Sequence, residues 1–239
     1  MMYIPTKLLH HILDILKWPG LCNVSMRQTS DSLEVAVVYG GSVFRFVHPL
    51  VGTCVHYNGS GGGDDDDNKE AAWSHFTKLD FSRRLHLVLR SAGAGTIKIA
   101  ADDQNLFMDD VVFPRTETIR QQPPPNIPNE CIKTYQIDGD WLKFTTKYVG
   151  DNECDIKLTK NMISVRSDDF YIVSHTAILT NVGCGMTHEK RGVNMKLFSD
   201  LAFTDDGRGH VMLNLYTRQA ISLTRALDCG CLFTFVQNQ

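Results

Sequence analysis

The sequence lacks the features that assign an enzymatic or membrane function directly. It contains no C-x-x-C cysteine pair, no P-loop, no G-x-S-x-G motif, no H-E-x-x-H motif and no dinucleotide-binding glycine pattern. No segment approaches the roughly 20 consecutive apolar residues that span a bilayer. The apolar N-terminal stretch is interrupted by charged residues and has no cleavage site typical of a signal peptide. We therefore expect an intracellular protein with no catalytic residues, no cofactor, no metal site and no membrane contact.

The cysteines and the net charge do not point to a ligand. The seven cysteines are an odd number and lie scattered through strand-like apolar runs, which is typical of buried free thiols in a reducing compartment. Cys184 and His188, in the sequence CGMTH, come nearest to a metal-ligand pair, but a loop thiol and a surface histidine explain them better. The net charge of −3 gives no overall attraction to nucleic acid, so any basic surface must arise from local segregation of charge.

The most distinctive stretch is the proline-rich segment 114–130, which reads PRTETIRQQPPPNIPNE. Because proline fixes φ and has no amide hydrogen, this segment is excluded from a helix and from the middle of a sheet. Residues that precede proline are driven to extended geometry, which predicts a stiff, exposed strap. In a chain of 239 residues, we interpret this strap as the connector between two domains, 1–113 and 131–239.

The first half of the chain predicts two helices among several strands. Apolar residues recur at helical spacing over 5–18, with a proline suited to the first turn. A second helix is predicted over 81–91, with Asp80 as its N-cap. The acidic, glycine-rich stretch 58–70 is expected to be disordered. Strands are predicted over 21–28, 33–39, 42–47, 51–57, 73–79, 96–101 and 106–113.

The order of elements repeats after the connector. Helices are predicted over 139–149 and about 193–203, and a basic, glycine-rich loop precedes the second of them. Each half therefore follows the order helix, strands, helix, strands, with the strands in hairpin runs. This order excludes a doubly wound parallel sheet and predicts an α+β fold of two similar domains built on antiparallel sheets. The strands of the second half are predicted over 131–137, 153–159, 162–167, 171–179, 210–216, 220–226 and 231–236.

Basic residues recur along the predicted helices and the loop that precedes the last one. One basic helix face is usually a solvated surface, and Asp14 and Asp200 interrupt the pattern. If all these faces lie on one side of the sheets, they form a surface that binds phosphates without reading base sequence. The candidate DNA-facing residues are Lys7, Lys17, Arg83, Arg84, Arg90, Lys143, Lys147, Lys190, Arg191 and Lys196.

The order and spacing of these elements resemble the DNA sliding clamp superfamily, whose best-known member is the proliferating cell nuclear antigen. Three stretches carry the resemblance: LHLVLRSAGAGTIKIAADDQNLFMDDVVF, NIPNECIK, and VNMKLFSDLAF followed by HVMLNLYTRQAISLTRAL and CLFTFVQ. Two further features resemble the Hus-type subunit of the 9-1-1 checkpoint clamp. They are the extra strand pair around the acidic stretch and the passage YIVSHTAILTNVG.

The resemblance implies a non-enzymatic, nuclear protein with two helices per domain facing the DNA. It also implies a trimeric ring, formed with two other clamp subunits, that encloses duplex DNA of any sequence. An ATP-driven loader would open the ring, and DNA polymerases, nucleases or a ligase would be its clients. Strand 106–113 of one subunit would pair with strand 171–179 of the next. Client peptides would dock at the positions that match the clamp pocket, namely Met26, Ile127, Pro128, Phe235 and Val236.

Other functions remain open at the level of sequence. Within the clamp superfamily, the chain also fits a replicative or viral processivity factor that forms a homo-oligomer. A metal-dependent nuclease would need aspartate pairs to meet around a cation, although such pairs mostly favour turns. A β-rich adaptor that does not bind DNA would carry the basic faces incidentally. The aspartate pairs are Asp102-Asp103, Asp109-Asp110, Asp168-Asp169 and Asp205-Asp206.

Overall fold

The computed structural model divides the chain into two compact units that exchange short segments. The first unit comprises Met1–Gly40, Arg45–Pro124 and Leu227–Leu232, and the second comprises Gly41–Phe44, Pro125–Ala226 and Phe233–Gln239. The predicted strand 51–57, the acidic stretch 58–70 and residues 115–130 of the connector lie outside the described residues. The structure describes residues 2–17, 21, 23–29, 32–39, 42–49, 73–93, 95–102, 104–114, 131–150, 153–159, 162–175, 177–181, 188–194, 210–216 and 220–237.

The first unit contains two helices and two antiparallel groups of strands. One sheet has the strand order β1-β6-β7-β8, and the other contains the run β4-β3-β2-β5, in which residues 42–44 of β4 belong to the second unit. The helices are α1 (Thr6–Leu16) and α2 (Lys78–Ser91). The strands are β1 (Met2–Pro5), β2 (Asn23–Gln28), β3 (Ser32–Tyr39), β4 (Ser42–Pro49), β5 (Ser74–Thr77), β6 (Thr96–Ala101), β7 (Asn105–Met108) and β8 (Val111–Pro114).

The second unit repeats this plan with one helix in its described part. Helix α3 (Gly139–Val149) follows the first strand, and the sheets contain the runs β12-β11-β10-β14 and β13-β9-β15-β16-β17. The strands are β9 (Cys131–Asp138), β10 (Glu153–Leu158), β11 (Met162–Ser167), β12 (Phe170–His175), β13 (Ala177–Asn181), β14 (His188–Asn194), β15 (His210–Tyr216), β16 (Ile221–Ala226) and β17 (Leu232–Gln237). The predicted α+β class with antiparallel sheets is confirmed.

Each helix packs an apolar stripe against its own unit. In α2, the buried residues Phe81, Leu85 and Val88 recur at helical spacing, and the Phe81 ring packs 5.3 Å from that of Phe113 in β8. In α3, the buried stripe includes Leu142 and Val149. Burial of each large apolar side chain is worth about 1.5–3 kcal/mol. The outward sides of the helices are consequently free to carry charge.

Helix α2 begins three residues earlier than predicted, because Thr77 rather than Asp80 is its N-cap. The Thr77 hydroxyl accepts a hydrogen bond from the amide of Asp80 and donates one to its carboxylate at 3.1 Å. Asp80 therefore lies in the first turn, where a carboxylate also interacts favourably with the helix dipole. The predicted strand 73–79 correspondingly ends at Thr77. Helix α3 has the bounds that the sequence predicts, with Asp138 as its N-cap.

Two predicted single strands are each two strands. The stretch 106–113 forms β7 and β8, because Asp109 adopts φ 51° and reverses the chain with Asp110. The stretch 171–179 forms most of β12 and the start of β13, which belong to different sheets. Strand β14 also occupies part of the predicted basic loop and the first two residues of the predicted helix 193–203. The rest of that helix lies outside the described residues.

Candidate nucleic-acid interface

The outward face of α2 presents two arginines seven residues apart. Arg83 and Arg90 lie opposite the buried stripe of the helix, and both side chains are exposed. His86, which is also exposed, lies between them. Because seven residues span nearly two helical turns, the two guanidinium groups project from the same side of the helix. This face suits contact with phosphates along a nucleic-acid backbone.

Arg84 has a different role from its two neighbours. Its Nη1 donates a hydrogen bond of 2.6 Å to the backbone oxygen of Val112 in β8. The side chain therefore ties α2 to the last strand of the β1-β6-β7-β8 sheet. Spacing along the helix predicts Arg84 to be a DNA-facing residue. The sequence does not reveal its contact with Val112, because the two residues are 28 positions apart. Arg84 thus has a structural contact, and its contact with DNA stays a prediction.

Helix α1 adds less positive charge than its sequence suggests. Lys7 is exposed, but the Lys17 ammonium forms an ion pair with the Asp14 carboxylate. An exposed pair of this kind contributes at most about 1 kcal/mol, so Lys17 can exchange Asp14 for another anion at little cost. Helices α1 and α2 pack against each other within the first unit. Lys7 and Lys17 are thus the exposed lysines of α1, and Asp14 offsets the charge of Lys17.

Helix α3 exposes both predicted lysines together with aromatic side chains. Lys143 and Lys147 lie one turn apart on the exposed side of the helix. Phe144 and Tyr148 lie beside them and are 52% and 62% exposed. Helical spacing predicts that the aromatic side chains share one face of the helix and the lysines another. The exposure of the rings is a property that only the tertiary structure reveals.

The remaining basic candidates do not lie on a described helix. Arg191 is in β14, and its Nε lies 3.4 Å from the Glu189 carboxylate in an exposed ion pair. The backbone of Lys190 is in the same strand, while its side chain and the whole of Lys196 lie outside the described residues. The structure thus brings Arg83 and Arg90 together in the first unit, and Lys143 and Lys147 together in the second.

The predicted partner-binding residues are mostly core residues. Met26 in β2 is buried in the first unit, and Phe235 and Val236 in β17 are buried in the second. The ring of Phe235 stacks on that of Phe44 with 4.4 Å between centroids. The other two predicted positions, Ile127 and Pro128, lie outside the described residues, so the client pocket stays a prediction.

A buried charge cluster in the first unit escaped the sequence reasoning. Both carboxylate oxygens of Glu34 in β3 lie 3.2 Å from Nη2 of Arg27 in β2. One of them also lies 3.6 Å from Nη1 of Arg45 in β4. The guanidinium carbons of Arg27 and Arg45 lie 4.7 and 5.6 Å from the ring centre of Trp73. Burial lowers the pKa of Arg45, which marks the cost of removing this charge from water.

Elsewhere in the described part of the chain, the pKa shifts of titratable groups come from burial in packed regions and do not indicate a reactive site. Burial lowers the pKa of His75, whose Nδ1 lies 2.8 Å from the Ser25 hydroxyl, and the pKa of His48. Burial raises the pKa of the Cys154 thiol to about 12, which leaves it protonated and unreactive at neutral pH. No three metal-ligating side chains meet among these residues. No helix among them is long and apolar enough to cross a membrane.

The aspartate pairs that a nuclease would need form exposed turns where they are described. Asp109 and Asp110 form the β7–β8 turn, and Asp168 and Asp169 form the β11–β12 turn, all of them exposed. The Asp102 carboxylate accepts hydrogen bonds from the amides of Gln104 and Asn105, as turn aspartates commonly do. The other members of the four pairs, Asp103, Asp205 and Asp206, lie outside the described residues.

Comparison with known proteins identifies the fold. No protein-family model and no curated protein sequence matches this chain. The beta subunit of DNA polymerase III from Thermotoga maritima matches with a TM-score of 0.63 and 14% identity, over 98% of this chain. This chain spans 64% of the length of that bacterial subunit. A chain of the PCNA2–PCNA3 complex from Sulfolobus tokodaii matches with a TM-score of 0.61 and 11% identity. The match covers 99% of this chain and 98% of the matched chain.

The class that these matches define is the DNA sliding clamp fold. The sequence resemblance predicts that fold from the order of elements, and the structural matches confirm it. Identities of 14% and 11% define the architecture alone. The functional assignment therefore depends on which side chains this chain places on the clamp framework.

Proposed function

We propose that this chain is a non-enzymatic subunit of a ring-shaped sliding clamp that encircles duplex DNA. The observation that carries the proposal is the pair of cationic helix faces, Arg83 with Arg90 on α2 and Lys143 with Lys147 on α3. These are exposed, flexible cations without base-reading geometry around them. Such side chains neutralise phosphates of any sequence and let a protein slide along the duplex.

Closure of the ring would use strands at the ends of the two outer sheets. Strand β8 ends the order β1-β6-β7-β8, and β12 ends the order β12-β11-β10-β14. Each carries an exposed apolar side chain, Val112 at 38% and Tyr171 at 61% exposure. An end strand with exposed apolar residues is a template for pairing with another chain. The hydrogen bond from Arg84 to Val112 holds β8 in position for this contact.

Within the clamp class, we favour a Hus-type subunit of the nuclear 9-1-1 checkpoint clamp. Its partners would be two different clamp subunits, an ATP-driven loader, and polymerases, nucleases or a ligase as clients. Support comes from β5, which follows the long insertion after β4 and extends the run of strands next to β2. The alternative is a replicative or viral processivity factor that forms a homo-oligomer. A pure chain that sediments as a trimer supports the alternative, and a monomer supports the checkpoint subunit.

Substitution of the end strands tests ring closure. We expect Val112→Asp or Tyr171→Asp to weaken assembly by at least about tenfold, because each buries an unpaired carboxylate in the subunit contact. For a homo-oligomer, the measurement is sedimentation of the pure chain. For a hetero-oligomer, it is recovery of the tagged chain with both other clamp subunits when all three are co-expressed.

The matched control for this test is Leu79→Asp on α2. Leu79 is 60% exposed, so the change has the same chemistry on an apolar side chain outside both end strands. We expect it to leave assembly unchanged. Assembly of both end-strand variants at the strength of the unaltered chain would contradict ring closure through β8 and β12.

A further inference from the structure

The aromatic side chains of α3 are exposed to an extent that packing does not explain. The rings of Phe144 and Tyr148 have centroids 4.5 Å apart and an interplanar angle of 45°. They are 52% and 62% exposed, whereas Leu142 and Val149 on the opposite side of the helix are buried. Two large rings that contact each other and are more than half exposed add little to the core. Adjacent rings at this angle present an apolar surface to a ligand.

Two lysines alternate with the rings along the same side of the helix. Lys143 precedes Phe144 and Lys147 precedes Tyr148, so each ring has a cation beside it. Both pairs repeat after four residues, which places like side chains one above the other. We call these four residues the α3 aromatic face. Each ring suits a flat apolar group of a ligand, and the lysine beside it suits a negative charge. Because the pair of side chains occurs twice, it matches a ligand in which both groups repeat.

Helix electrostatics explain part of this arrangement but not the rings. Asp138 and Asp140 lie at the start of α3 and Lys147 in its last turn, as the helix dipole favours. That effect accounts for Lys147 but not for Lys143, which lies in the middle of the helix. It gives no reason for an exposed phenylalanine and an exposed tyrosine, since any good helix former would serve in their place.

We infer that the α3 aromatic face binds unpaired nucleotides. Bases would stack on Phe144 and Tyr148, while Lys143 and Lys147 neutralise the adjoining phosphates. Stacking tolerates every base, because each has a π-face. This inference rests on the proposed function and adds to it, since the clamp would hold a single strand as well as enclose a duplex. In a duplex the base faces are already covered by their neighbours, so the rings discriminate in favour of single strands.

The test compares single-stranded with double-stranded DNA on the full chain at low salt. The probes are a fluorescent oligo(dT), an abasic strand of the same length, and a duplex of the same length, each followed by anisotropy. The key variant combines Phe144→Leu with Tyr148→Leu, which keeps apolar bulk and helix propensity but removes both π-faces. We expect it to lose roughly a hundredfold in affinity for oligo(dT), about tenfold per ring. We expect its affinity for the duplex to change by less than about twofold.

Two comparisons separate stacking from charge. The unaltered chain should bind the abasic strand about as weakly as the leucine variant binds oligo(dT), because neither complex contains a stacked base. The control variant Lys143→Gln with Lys147→Gln should weaken binding to oligo(dT) and to the duplex alike. It should also reduce the salt dependence of binding, since it removes phosphate contacts.

The outcomes that overturn the inference differ from those that overturn the proposed function. The inference fails if the leucine variant binds oligo(dT) as tightly as the unaltered chain, as it would if the rings served a protein partner. It also fails if abasic and dT strands bind equally well, or if the leucine variant loses duplex and single-strand affinity equally. If the unaltered chain binds neither DNA, the proposed function fails with it.

Discussion

Replacement of Glu34 by alanine is expected to lower the free energy of unfolding of the first unit by about 3–5 kcal/mol. The carboxylate lies between Arg27 and Arg45, and all three side chains are largely buried. Its removal takes from two buried guanidinium groups a negative charge that helps to offset their desolvation. Denaturant unfolding followed by tryptophan fluorescence, in a background with Trp18 and Trp141 replaced by phenylalanine, reports on this unit through Trp73, which lies against both arginines.

The control for this substitution is an acidic residue in an exposed ion pair. Asp14→Ala removes the partner of Lys17 at the surface of the same unit and should cost less than about 1 kcal/mol. Glu34→Gln, which keeps an acceptor but loses the charge, should fall between the two. A cost below about 1 kcal/mol for Glu34→Ala would show that other contacts of the two arginines suffice.

Charge reversal on α2, in the variant Arg83→Glu with Arg90→Glu, is expected to weaken duplex binding at low salt by at least about tenfold. Each arginine that neutralises one phosphate contributes about 0.9 to the slope of log affinity against log salt concentration, so the slope should fall by about 1.8. Arg84 is left unchanged, because its hydrogen bond to β8 would confound binding with folding. A salt titration of binding to a random-sequence duplex makes both measurements.

The matched control carries the same change in charge on a sheet. Lys157→Glu with Arg166→Glu alters two exposed cations of β10 and β11 that lie on no helix. We expect this control to retain most of the affinity and an unchanged salt slope. An equal loss in both variants would mean that net charge alone governs binding, and that α2 has no special part in it.

The sequence predicts those parts of the fold that depend on local periodicity. Helix α3 has the predicted bounds because its apolar stripe and its two ends are all encoded within eleven residues. The start of α2 was misplaced because Thr77 and Asp80 both suit a cap, and their reciprocal hydrogen bonds decide between them. Strands β7 and β8 are predicted as one strand, because the residues around the turn are strand-like in sequence. The turn depends on the positive φ of Asp109, which the sequence does not show.

In the candidate site, too, the sequence predicts only those features that depend on local spacing. Arg83 and Arg90 could be placed on one outward face from spacing alone, since a helix sets the direction of its side chains. Arg84 could not be separated from them, because its partner in β8 is distant in sequence. Met26, Phe235 and Val236 were assigned to a pocket by resemblance, but alternation along a strand does not distinguish a buried side chain from a docking position. The exposure of Phe144 likewise depends on what the neighbouring elements leave uncovered.

The most direct test of the account is retention on closed and open DNA. The chain, assembled on a nicked circular duplex by an ATP-supplemented extract of cells that express it, is washed in high salt. Salt screens phosphate contacts but cannot release a closed ring. We predict that the protein stays on the circle and leaves when a single cut makes the same DNA linear. Elution from circular and linear DNA to the same extent would contradict encirclement of the duplex.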